Sequence, residues 1–250
     1  MSSLHISLSA EPLFHFVGFT VTNSILATWI VTAFLLTLAF FLRRSLKTEG
    51  QISSLQLLFE MIVESLHNLT ETIAGSRKTR VFFPFVATFF IFIVISNWSG
   101  LIPGVGAIGL IKHLHNGETE FVPLYRSPTA DINTTLALGI ISMVLVQYFG
   151  LKYLKLSYFK KFLNFHSFID FFVGILELVS DFAKIISFAF RLFGNVFAGE
   201  VLLAVVSYLL PLAVFPFIGM EVFVGFIQAF IFAILSLVFF NIATLSHEEE

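Results

Sequence analysis

Cysteine is absent from the 250-residue chain, and charged residues make up only 12% of it. Without a thiol there is no disulfide framework, no thiolate metal site and no Cys nucleophile. An average soluble domain carries roughly 25% charged residues, so a surface that faces water cannot be built from this composition. The net charge of −2 points away from a nucleic-acid partner. Met1 to Phe14 holds no Lys or Arg and places Glu11 where a secretory signal needs positive charge, so neither a cleaved signal nor an Arg-rich transit peptide is expected.

Apolar length takes the place of charge. Hydrophobic residues reach 57%, with 34 Phe, and mean hydropathy is +0.94. They fall in blocks able to cross a bilayer, which takes about 20 residues each. Spans are predicted over 25–42, 81–102 and 132–151, followed by two longer blocks, 170–210 and 217–245, separated by Pro211 and Pro216. The last two are too long to stand upright and read as a tilted helical hairpin. Between the first two spans, Leu55, Leu58, Phe59, Ile62, Leu66, Leu69 and Ile73 recur at helical spacing while Glu60, Glu64, His67 and Glu71 take other faces, predicting an amphipathic interfacial helix over 52–73. The expected fold is thus an all-α membrane protein, a single integral domain of about five spans plus that helix, with a polar loop over 104–128.

Basic residues set the orientation. Ten of the fourteen lie after the first span, before the second and after the third; Lys112 and Arg126 fall in the 104–128 loop. This puts the N-terminus outside and the tail from His247 to Glu250 inside. His5 and His15 read as outer-face histidines, His166 has no functional reading, and the Phe-Phe pairs at Phe82, Phe89, Phe171 and Phe239 read as lipid-facing packing.

Two basic residues remain inside the apolar blocks, where a charge costs at least a few kcal/mol. Glu177, Asp181, Lys184 and Arg191 are offset by 4, 7 and 14 residues from the first, within about 80° of one another on a helix. Asn195 extends the stripe by one turn. Glu200 lies nine residues beyond Arg191, roughly 13 Å along and half a turn around. On the antiparallel partner Glu221 and Gln228 share a face, and Glu221 falls at the depth of Glu200. Arg does not deprotonate in proteins, so Arg191 is suited to be a fixed positive barrier, whereas carboxyls in apolar surroundings can take up and release protons. The pattern is a discontinuous proton path. Structural roles stand beside it: Asp181 and Lys184 as an i,i+3 pair, Glu200 and Glu221 as a staple of the hairpin, and Asn97 and Gln228 as interhelical hydrogen-bond glue.

The run Ser187-Phe-Ala-Phe-Arg191-Leu-Phe-Gly-Asn195-Val-Phe-Ala-Gly-Glu200, followed by Gln228-Ala-Phe-Ile-Phe, resembles the signature of subunit a of F-type ATP synthase, the membrane stator that faces the ring of c subunits. Asn97 with Leu101-Ile-Pro103, and Pro128-Thr-Ala-Asp131-Ile-Asn133, resemble its second-span and third-span motifs. The resemblance implies that Arg191 faces the c-ring carboxylate and keeps two aqueous half-channels apart. It places Glu200, Glu221, Gln228 and Asn97 on the outer half-channel, and Glu177, Ser180 and Lys184 on the inner one, with Asp181 beside Glu177. It further implies partnership with the ring and the peripheral-stalk b subunits, no cofactor, no metal and no catalysis by this chain alone. The membrane expected is a bacterial plasma (inner) membrane, with an organellar inner membrane as the alternative. Some relatives carry His at the Glu221 or the Glu200 position; both are Glu here, which excludes a His relay, and Gly100 stands where some have Asp. The rival readings are a self-contained secondary transporter or proton channel, for which the chain lacks the usual internal repeats, and a structural anchor, which leaves the charged hairpin unexplained.

Overall fold

A computed structural model describes residues 9–16, 18–45, 54–113, 119–155, 157, 158, 162 and 168–245. His5, Lys47, Lys160, Lys161, His166 and the 247–250 tail lie outside these. In chain order the elements are β1 (Pro12–Phe16), β2 (Phe19–Thr22), α1 (Asn23–Ser45), α2 (Ser54–Ala74), α3 (Ser76–Ser99), β3 (Gly109–His113), β4 (Thr119–Pro123), α4 (Ile132–Leu154), α5 (Phe168–Leu209) and α6 (Val214–Ala243). Among the described residues five helices are long and apolar enough to cross a membrane, and α2 is amphipathic. The protein is an all-α membrane protein with a long C-terminal hairpin. At 42 residues, α5 would extend about 63 Å, roughly twice the thickness of a hydrocarbon core.

Two features depart from the reading of the sequence. The 104–128 stretch and the N-terminal segment each form an antiparallel two-stranded hairpin, β3 with β4 and β1 with β2. Helix α3 begins at Ser76, so Arg77, Lys78 and Arg80 form its first turns instead of flanking it. The left-handed backbone of Gly75, φ 75°, separates α2 from α3 with no further linker.

The phenylalanine pairs also need correcting. Phe82 and Phe240 are fully buried and Phe89 and Phe90 nearly so, while Phe172 is exposed. Phe82, Phe149 and Phe240 form a triangle of rings with centroids 4.8, 5.7 and 5.1 Å apart, joining α3, α4 and α6. In lipid, where water drives no helix association, packing of this kind and short polar contacts hold a bundle together. One such contact is the Ser142–Ser236 hydroxyl pair at 2.8 Å. The core therefore lies between α3, α4 and α6, and α5 packs across it. Phe188 of α5 meets Phe232 and Phe239 of α6, and Gly199 meets Glu221. As the α5 number rises the α6 number falls, which makes the pair antiparallel.

The start of α4 explains one motif. Asp131 caps the helix through Asn133 N at 2.9 Å, and its other oxygen accepts from Ser24 of α1 at 2.5 Å. Asn23 reaches the Pro123 carbonyl at 3.2 Å. Pro128-Thr-Ala-Asp131 is thus a buried knot that fixes where α1, β4 and α4 meet.

Candidate functional site

Buried positions on α5, namely Gly174, Asp181, Phe188, Ala189, Leu192, Val196 and Gly199, recur at helical spacing and turn one face to the bundle. Arg191 lies off that face. It is exposed; among the described residues its guanidinium hydrogen-bonds only the Ser187 hydroxyl, at 3.4 Å, and no carboxylate pairs with it. The open face beside it is apolar, with Ile186 and Phe190 each more than half exposed.

Glu200, half a turn away, faces inward. Together with Asn97, Gly100, Leu101, Ser127, Asn195, Val196, Leu203, Glu221 and Gly225 it lines a partly open cavity of about 170 Å³ between α3, α5, α6 and the loop before α4. The two carboxyls thus share one chamber, and no hydrogen bond joins them among the described residues. Glu221 lies against Gly199, where a Cβ would collide with its carboxylate; glycine is what lets α6 bring this carboxyl so close to α5. Asn97 is buried and bridges three elements: its Nδ2 donates to the Gly225 carbonyl at 2.9 Å, and its Oδ1 accepts from the Thr129 hydroxyl at 2.6 Å. Asn195 lines the chamber, and its Nδ2 is buried with no acceptor among the described residues. Gln228 does not line it; this half-buried side chain sits two turns farther along α6.

One residue at the cavity was not among those the sequence singled out. Arg126, only 9% exposed, pairs with Glu200 at 3.4 Å, donates to the Ser9 carbonyl at 2.9 Å and lies over the Phe197 ring at 5.9 Å. The sequence counted Arg126 only for orientation. The available signal was indirect: an intramembrane Glu needs a partner, and few cations fall in the loop nearest its depth.

At the other end of α5 the stripe divides. Asp181 is buried, and its Oδ1 accepts from Lys184 Nζ at 2.7 Å. Its Oδ2 accepts from Gln147 Nε2 at 2.8 Å, and Gln147 Oε1 accepts from the Tyr158 hydroxyl at 2.8 Å. Burial, followed by the nearby Asp181 and Glu177 charges, pushes the Tyr158 hydroxyl up to about 12, so it stays a donor. Glu177 is half-buried and Ser180 exposed.

Five apolar helices that carry carboxyls, amides and the Arg191 guanidinium along α5 define a multi-pass membrane protein built around intramembrane ionisable groups. A sequence model of the ATP synthase A chain matches residues 25–241, all of the helical bundle but its edges. The chain belongs to that family, the subunit a of F-type ATP synthases. It is accordingly a proton-transporting subunit of the F0 sector, a non-catalytic part of the complex that makes ATP, and it associates with the c ring and other subunits.

Proposed function

We propose that the 170 Å³ chamber is part of one aqueous half-channel, and that Arg191 faces the ring carboxylate across the open face of α5. The observation that carries this reading is the division of α5: Arg191 is exposed on one side, while Glu200 shares a chamber with Glu221 on the other. A proton passes from the outside by Asn97, Glu221, Gln228, Asn195 and Glu200 to a ring carboxylate. Neutral, that carboxyl can turn into lipid. After nearly a full rotation it loses the proton toward the inside near Glu177, Ser180 and Asp181, held deprotonated by the fixed charge of Arg191. Gln228 joins this path because it shares a face of α6 with Glu221, seven residues away.

The same reading makes the whole chain one integral domain in a bacterial plasma membrane, with the N-terminus outside, α2 on the inner interface and the b subunits of the peripheral stalk as neighbours. The distribution of Lys and Arg supports that orientation. Family membership favours the stator over a self-contained transporter or an anchor.

The test is replacement of Glu200 and Glu221 by Gln, singly and together, in the assembled complex. The double variant is expected to lose proton-driven ATP synthesis. Synthesis at the unmodified rate would leave the two carboxyls as a staple of the hairpin.

A further inference from the structure

Lys184 and Arg191 are the only cations on α5. Seven residues apart, they lie on nearly the same line of the helix, about 10 Å from one another. Two fixed cations on one line raise a difficulty for the stator reading, on which this inference rests. A ring carboxylate drawn to Arg191 would be held a second time by an open ammonium at Lys184, and exchange between the two half-channels would slow.

The surroundings of Lys184 remove the difficulty. Its ammonium is drawn to Asp181 at 2.7 Å and lies over the Phe239 ring at 5.0 Å, turned toward α6. Asp181 does not hold this position alone. Gln147 of α4 donates to its second oxygen, and Tyr158 fixes Gln147 from the far side. Tyr158 in turn is seated on Gly150, where a Cβ would collide with its ring. The chain reverses after α4 through Lys155, at φ 52°, which carries Tyr158 back to that seat. Four side chains from α4, α5 and the segment after α4 thus form one line, Tyr158 to Gln147 to Asp181 to Lys184, with both Asp181 oxygens engaged.

We propose that this line is a charge-cancelling clamp: Tyr158 and Gln147 position Asp181 to neutralise Lys184, which leaves Arg191 as the single uncompensated cation on α5. Asp181 is then a positioning residue. A clamp of charge differs from a packing contact in one respect. If Asp181 is needed only because Lys184 is charged, removing the charge of Lys184 relieves the loss of Asp181.

The experiment measures ATP-driven proton pumping by the whole complex in inverted vesicles, normalised to the amount of assembled subunit, for D181N, K184Q and D181N/K184Q. D181N frees the ammonium and is expected to lower pumping about tenfold, the scale of an unscreened charge acting over about 10 Å in a protein. Adding K184Q is expected to recover at least about half of that loss on a logarithmic scale. Should D181N fail to assemble, restored assembly in D181N/K184Q supports the clamp equally. A double variant no better than D181N, in pumping or in assembly, overturns it, as does a D181N variant that pumps normally. R191A runs alongside: if it still pumps, the stator reading itself fails, whatever Asp181 does.

Discussion

The guanidinium of Arg126 and the carboxylate of Glu200 meet at 3.4 Å although 74 residues separate them in sequence, tying the loop before α4 to the C-terminal end of α5. The same Arg126 holds the Ser9 carbonyl, so the N-terminal segment, the loop and the chamber wall converge on one side chain. Removing one partner of a partly buried pair leaves the other charge uncompensated. Arg126→Gln is therefore expected to lower ATP-driven pumping per assembled complex by on the order of tenfold. Arg126→Lys should retain more activity, because it keeps the charge while losing the planar fork. Equal pumping in wild type and Arg126→Gln would show that the pair contributes nothing to transport.

Gly199 and Glu221 offer a test of the chamber's geometry. A methyl group at Gly199 meets the tip of a flexible side chain, not backbone, so Gly199→Ala should displace the Glu221 carboxyl without unfolding the hairpin. Near-normal assembly with pumping reduced severalfold is expected. In a Glu221→Ala background the Gly199→Ala change should add nothing further, since the group it displaces is gone. Losses that simply add would place the effect of Gly199 elsewhere.

Asn97 sits where stability and transport overlap. Asn97→Leu removes the bonds to the Gly225 carbonyl and the Thr129 hydroxyl, of which the hydroxyl keeps Ser127 at 3.0 Å, at about 1 kcal/mol for each lost bond. The thermal unfolding midpoint of the purified complex should fall. Thr129→Val, which removes the facing donor, should fall less, since Asn97 keeps its bond to Gly225.

The legibility of the chain varied with the range of the interactions involved. Helix positions followed from the length of apolar runs, which is a local property, and α2 from its periodicity. The opposed placement of Arg191 and Glu200 was readable because nine residues on a helix is half a turn, and the shared depth of Glu200 and Glu221 because a Pro-marked turn fixes antiparallel register. What could not be read depended on contacts between distant segments. Arg126 finds Glu200 across 74 residues, and Gln147 and Tyr158 find Asp181 from a different helix and a loop. Strands of four or five residues are too short to show a clear alternation, although the Asn116-Gly117 dipeptide between β3 and β4 is a hairpin signal that the sequence did carry. Composition could not tell a phenylalanine facing lipid from one in the core, since both surroundings are apolar; only packing separates Phe82 from Phe172.

Asp131 gives a prediction independent of transport. It caps α4 and accepts the Ser24 hydroxyl. Asp131→Ala should cost about 1 kcal/mol for the cap and up to about as much again for the lost bond from Ser24, whose hydroxyl keeps Thr22 at 3.0 Å. Asp131→Asn keeps an acceptor for the cap and should lose less. The measurement is the amount of subunit retained in the membrane after mild heating, compared across the two variants.

In the proposed mechanism Arg191 is the one fixed cation presented to the ring. Its most direct test is Arg191→Gln in the assembled complex, with ATP-driven proton pumping measured in inverted vesicles and subunit content verified. Coupled pumping is expected to disappear while the complex still assembles, because the side chain is exposed and holds no helix in place. Coupled pumping that persists in Arg191→Gln would contradict it.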